Sequence, residues 1–227
     1  MKSILRSKWI KVVVFLVCLI PLGQLLWRAF HNGLADFPNH MDFGANPIEF
    51  ITHATGDWTI RFLIITLAVT PLRAALRLPD LIRFRRMLGL FAFFYACLHF
   101  STWSVLDKFF DWPEMWKDVL KRRFITVGFA AFMLMIPLAV TSTARMIRRV
   151  GGRRWRLLHR LIYVSAVLGV IHYYWLVKSD ERKPLQYAFL VGILLAWRLG
   201  AWFYARHQRV TTHGTPPQPE PSTAEGA

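Results

Sequence analysis

The chain has 227 residues, 55% of them hydrophobic, and a formal net charge of +16. That apolar content excludes simple disorder, which needs low hydrophobicity. Only two cysteines, Cys18 and Cys97, are present, which excludes a disulfide scaffold.

Charge and apolar residues are segregated along the chain. Six stretches approach the ~20 apolar residues that cross a ~30 Å hydrocarbon layer. They lie at about 10–27, 48–70, 87–106, 124–142, 157–177 and 184–204. The first is long, holds Pro21 and has no small-residue cleavage site after it, so it reads as a retained span rather than a signal peptide. Asn46-Pro47 reads as an N-cap with proline at the first helical position. Thr70-Pro71 and Thr141-Ser142-Thr143 read as the ends of the second and fourth spans. Pro21 and Pro137 read as kinks. The expected fold class is all-α: a polytopic membrane protein with a six-helix transmembrane bundle over residues 1–207. A proline-rich tail at 208–227 reads as disordered and cytoplasmic.

The charges sort by side. Eighteen basic residues fall in the N-terminus, the loops after the second and fourth spans, and the tail, against three acidic ones. The other side has nine basic and ten acidic residues, Glu49 and Asp57 counted among them. The positive-inside rule then places both termini in the cytoplasm. Basic loops so arranged set topology and meet anionic lipid headgroups. No basic patch belongs to a soluble fold, so nucleic acid is excluded as the expected partner.

In a bilayer an ionisable side chain is a functional hypothesis by default. His31, His40, His207 and His213 lie in loops or at the chain's end, which leaves His53, His99, His159 and His172. His99 is about seven residues before the outer end of the third span, and His172 about five before that of the fifth. At 1.5 Å per residue they differ by only ~3 Å in depth. Two imidazoles at one depth on parallel helices suit the two faces of a haem. The absence of a C-x-x-C-H run makes that haem b-type. His159 lies ~20 Å nearer the cytoplasm. On an ideal helix its side chain is ~140° from that of His172. The third span offers it only Arg85 and Arg86 as partners at the matching depth, so the residues support one haem rather than two. His53 reads as a reserve ligand or hydrogen-bond partner at the level of the outer haem. Arg61, deeper on the same span, reads as a snorkelling cation or as a partner for a haem propionate. Cys18 and Cys97 read as packing residues.

A further set of residues carries a resemblance. It comprises Arg85-Arg86-Met87-Leu88-Gly89-Leu90 with His99 nine residues on, and Leu138-Ala139-Val140-Thr141-Ser142-Thr143. It continues with Gly152-Arg153-Arg154-Trp155-Arg156-Leu157-Leu158-His159-Arg160 and Ile171-His172-Tyr173. Asn46-Pro47 and Thr55-Gly56 match as well. In this order, over about residues 8–205, the pattern resembles the MsrQ (YedZ) family of the ferric-reductase-like transmembrane superfamily. The resemblance implies a haem-binding subunit of the bacterial inner membrane. It implies electrons taken from the quinone pool or a cytoplasmic flavin donor and passed through b-type haem. The recipient would be a periplasmic molybdenum-cofactor subunit that reduces methionine sulfoxide in proteins. FMN is implied too, with Gly151-Gly152 among arginines as a candidate for its phosphate. His99, His159 and His172 match the family's functional histidines.

Two alternatives differ from this electron conduit. One is a ferric or quinone reductase that keeps the haem without a dedicated partner. The other is a transporter using His53, His99 and His172 as a proton or metal path. With Glu49 and Asp57 assigned to the outer side, the spans carry no acidic residue, which weighs against the transporter.

Overall fold

The computed structural model describes residues 7–34, 46–177 and 181–212. His40 and His213 lie outside them, as does the proline-rich end of the tail. Among the described residues every regular element is helical. The helices are α1 (Lys8–Leu34), α2 (Pro47–Ala75), α3 (Ile82–Ser101), α4 (Trp112–Lys121), α5 (Arg123–Val140), α6 (Ala144–Val150), α7 (Gly152–Leu158), α8 (Leu161–Leu176) and α9 (Arg182–Thr212). A wide π-type turn over Thr102–Asp107 extends α3.

Six helical stretches are long and apolar enough to cross a membrane. They are Lys8–Phe30, Pro47–Ala75, Pro79–Asp107, Arg123–Val140, Gly152–Leu176 and Arg182–Gln208. These match the six expected spans. The last helix runs to Thr212, past the boundary at 207 that composition suggested. The starts and stops follow from capping. Asn46 accepts from the Glu49 amide at 3.2 Å with Pro47 behind it. Thr143 accepts from the Met146 amide and opens α6.

Two expectations about helix ends are corrected. Thr70-Pro71 does not end the second span, because α2 continues through Pro71 to Ala75. Proline has no amide hydrogen, so the Leu67 carbonyl one turn back loses its helical donor. Arg198 of α9 supplies one at 2.6 Å, and its guanidinium also lies over the Tyr163 ring. In a bilayer such a freed carbonyl must find a partner within the protein. The fifth span, conversely, is not one ideal helix: it breaks at His159-Arg160 between α7 and α8. The ideal-helix angle of ~140° between His159 and His172 therefore does not carry over directly to this span.

The core is built chiefly where α2 packs on α3 and α5 on α8. Leu63, Leu67, Ala92, Tyr95 and Ala166 are fully enclosed there. Tyr95 also ties in α1. Its hydroxyl accepts from the Leu22 amide at 3.2 Å and donates to the Cys18 carbonyl at 2.9 Å, so it is inserted into the helical ladder beside Pro21. Phe15, Trp27, Phe189 and Trp202 point outward, as lipid contact demands. Because successive spans alternate in direction, the arginine-rich loops share one end of the bundle. His99 and His172 lie toward the other.

Candidate haem site

His99 stands in the last turns of α3 and His172 in those of α8. Their ring centroids are 6.0 Å apart and their planes cross at 75°. Each ring is held by a backbone carbonyl of a neighbouring helix. His99 Nδ1 donates to Thr52 of α2 at 2.9 Å, and His172 Nδ1 donates to Phe124 of α5 at 2.7 Å. A carbonyl only accepts, so each Nδ1 carries the proton and each Nε2 keeps its lone pair.

A glycine lies one turn beyond each accepting carbonyl, Gly56 after Thr52 and Gly128 after Phe124. A Cβ at Gly56 would sit 3.1 Å from the His99 ring, and one at Gly128 would sit 2.5 Å from His172 Nδ1. The missing side chains are what let the imidazoles lie against the helices and reach their carbonyls. The two halves thus repeat one device, a carbonyl, three residues, then a glycine that gives way to a histidine.

Both rings line a cavity of about 510 Å³. Ile60, Leu63, Phe100, Phe129, Phe132 and Met135 form much of its wall, with Ser165 at the deep end. Asn46, Glu49, Asp107 and Arg122 line its mouth. Ligand pockets commonly enclose ~300–1,000 Å³ behind apolar walls. Among the described residues no group of three or more His, Cys, Asp or Glu is placed to hold a bare metal ion. Two neutral nitrogens facing one cavity instead suit a metal whose remaining ligands come from a macrocycle. The residues therefore fit haem.

The other expected residues fall differently. His53 is exposed and lines the same cavity. Arg61 is outside the cavity lining. It reaches Asp57 at 3.6 Å and the Tyr187 hydroxyl at 3.0 Å, and lies over the Trp58 ring. His159 is also outside. It stacks on Trp155 at 3.9 Å, donates from Nδ1 to the Trp155 carbonyl, and has Nε2 3.5 Å from the Ser142 hydroxyl.

The reading of acid-free spans is corrected. Asp57 lies within α2, lines the cavity, and pairs with Arg61 and Tyr173. Its spacing of four before Arg61 was the available signal. Gly128 had no signal of its own, because what it accommodates comes from another helix.

The fold and site define a class of protein. Residues 55–170 match the ferric reductase like transmembrane component family, a stretch that contains Gly56, His99 and Gly128. Similarity to individual proteins extends further. A protein of Herminiimonas arsenicoxydans is 54% identical over 85% of this chain and 86% of its own length. One of Rhodospirillum rubrum is 49% identical over 86% and 89%. One of Xanthomonas euvesicatoria pv. vesicatoria is 42% identical over 96% and 95%. Each is named protein-methionine-sulfoxide reductase heme-binding subunit MsrQ. This chain belongs to the MsrQ family.

Proposed function

We propose that the chain is the membrane cytochrome of a methionine-sulfoxide repair system, in which His99 and His172 would hold one b-type haem. The observation that supports this is the pair of bare Nε2 atoms facing one apolar cavity, each ring oriented by a backbone carbonyl. Bound there, haem would supply one-electron carriage. The protein's part is to hold, orient and insulate. The Nδ1–H bonds fix the tautomer, stop the rings from turning and raise their basicity as ligands. The aromatic wall excludes water, which with the ligands sets the redox potential.

The basic loops support an orientation with both termini in the cytoplasm of a bacterial inner membrane, and so a haem toward the periplasm. Electrons would come from the quinone pool or a cytoplasmic flavin donor. They would leave to a soluble periplasmic molybdenum-cofactor subunit, which carries out the reduction of methionine sulfoxide. FMN would belong to the cytoplasmic side, near the arginines around Gly151 and Gly152. His159, engaged with Trp155 and Ser142, acts in support of that end and not as a ligand of the outer haem. The Asp57–Arg61 pair neutralises itself beside the cavity, which argues against a free carboxylate in a transport path.

Haem quantification on detergent-purified protein tests the assignment. His99→Ala and His172→Ala should each abolish the Soret band, whereas His159→Ala should keep it. Full haem in both of the first two variants would sink the ligand pair. Two haems in the parent that fall to one in His159→Ala would overturn the single-haem reading.

A further inference from the structure

Between the third and fourth spans the chain makes α4, a ten-residue helix tethered close at both ends. Residues 108–111 separate it from the π-type turn of the third span, and Arg122 alone separates it from α5. Such a tether keeps α4 at the boundary of the bilayer. At about 100° per residue, three faces can be told apart around it. Met115, Asp118 and Val119 are buried against the bundle. Trp112, Trp116 and Leu120 form an exposed apolar edge, each at least 60% exposed. Lys117 and Lys121 lie on the remaining side.

The apolar edge is held in place. Phe109 and Phe110 precede it with φ of 47° and 59°, a backbone region that side-chain-bearing residues rarely adopt. Three backbone hydrogen bonds fix that turn: Lys108 to Trp103, Phe110 to Ser104 and Asp111 to Lys108. The result is an 80% exposed Phe109 ring, with Phe110 packed beside Trp112. The strip runs on from Val105 and Leu106, exposed residues of the third span itself.

The charges around α4 are unequal. Lys108 takes Glu114 at 2.7 Å and Asp118 at 2.9 Å, and Arg122 takes Asp118 at 3.1 Å. Asp111 caps the helix. Lys117, Lys121 and Arg123 are exposed and have no acidic partner among the described residues. What is left over on this surface is apolar, aromatic and cationic, the composition of a helix lying in a lipid–water interface.

We propose that α4 is such an interfacial helix. Its edge from Phe109 to Leu120 seats among lipid, and Lys117, Lys121 and Arg123 meet anionic headgroups. Asp107 and Arg122 flank this segment and line the cavity mouth, so the lipid contact also fixes the mouth's rim.

Depth measurement on the full chain tests it. In a Cys18→Ala, Cys97→Ala background, nitroxide labels at Trp116→Cys and Lys117→Cys are read by power saturation. The host is nanodiscs of phosphatidylethanolamine with phosphatidylglycerol. The label at 116 should collide several-fold more with oxygen than with a water-soluble nickel chelate, and the label at 117 should show the reverse. Replacing phosphatidylglycerol by phosphatidylcholine should move 116 outward; an unchanged depth overturns the headgroup contact. Equal nickel access at both sites overturns the proposal. So does a 116 label shielded only after a soluble protein partner is added, which would make the edge a protein-docking face. Leu120→Cys gives an independent reading if Trp116→Cys does not fold.

Discussion

Substituting Gly128 by alanine sets two physical effects against each other. The added Cβ would lie 2.5 Å from His172 Nδ1, 2.8 Å from Cε1 and 3.0 Å from Cγ. The ring must retreat by about 1 Å to reach ordinary van der Waals contact. That movement carries the 2.7 Å bond from Nδ1 to the Phe124 carbonyl beyond hydrogen-bonding range. Losing the partner that orients a metal-bound histidine typically costs 10–100-fold in affinity, or about 1.4–2.8 kcal/mol. Helix propensity works the other way, since alanine favours a helix over glycine by up to ~1 kcal/mol. The variant should therefore bind haem about 10–100-fold more weakly, while in the haem-free protein the gain in helix propensity roughly offsets the lost hydrogen bond and thermal stability changes little. Soret titration of the haem-free protein reads the first and calorimetry the second. Gly192→Ala, where a Cβ meets nothing within 4 Å, is the control. Parent-like haem affinity in the Gly128 variant would refute the claim that this glycine exists to admit His172.

Arg198→Leu leaves the Leu67 carbonyl without a donor and should cost about 1–3 kcal/mol in unfolding experiments. In a Pro71→Ala background the helix regains its own amide donor, so the same substitution should cost clearly less; equal costs in both backgrounds would break the link between these residues. Tyr95→Phe should destabilise by about 1 kcal/mol, measured by thermal unfolding, because the hydroxyl bridges the Leu22 amide and the Cys18 carbonyl. Hydrogen bonds from Lys108 to Glu114 and Asp118 hold its ammonium pKa above the ordinary lysine value. Its contribution is thus complete below the unfolded value of about 10.4 and is lost only as pH rises through the higher folded one. The destabilisation by Lys108→Met, followed by denaturation, should be constant from neutral pH to mildly alkaline pH and shrink above that window.

Much of the site was legible because depth in a bilayer follows from counting along a hydrophobic run. His99 and His172 emerge as a pair from that count alone, and they meet in the structure across one cavity. His53 shares that cavity for the same reason. Arg61 and His159 were visible as polar groups in apolar spans, but their partners were not. Tyr187 is 126 residues from Arg61, and the Ser142–His159 contact spans a helix break. Asp57 was misassigned because a charge tally by side ignores how deep an acid lies once a cation and a tyrosine satisfy it.

The sequence by itself determined the spans, the segregation of basic residues and the depth of the two histidines. Each depends on local composition and on the 1.5 Å rise of a helix. Only the tertiary structure decided that α2 passes through Pro71, that the fifth span breaks at His159, and that Gly56 and Gly128 stand under the two imidazoles. The first rests on a carbonyl that proline leaves free and on the neighbouring helix that brings a donor to it, and the last on which helix brings a histidine against each glycine. In a bilayer no water can donate to that carbonyl, so the partner must come from elsewhere in the fold.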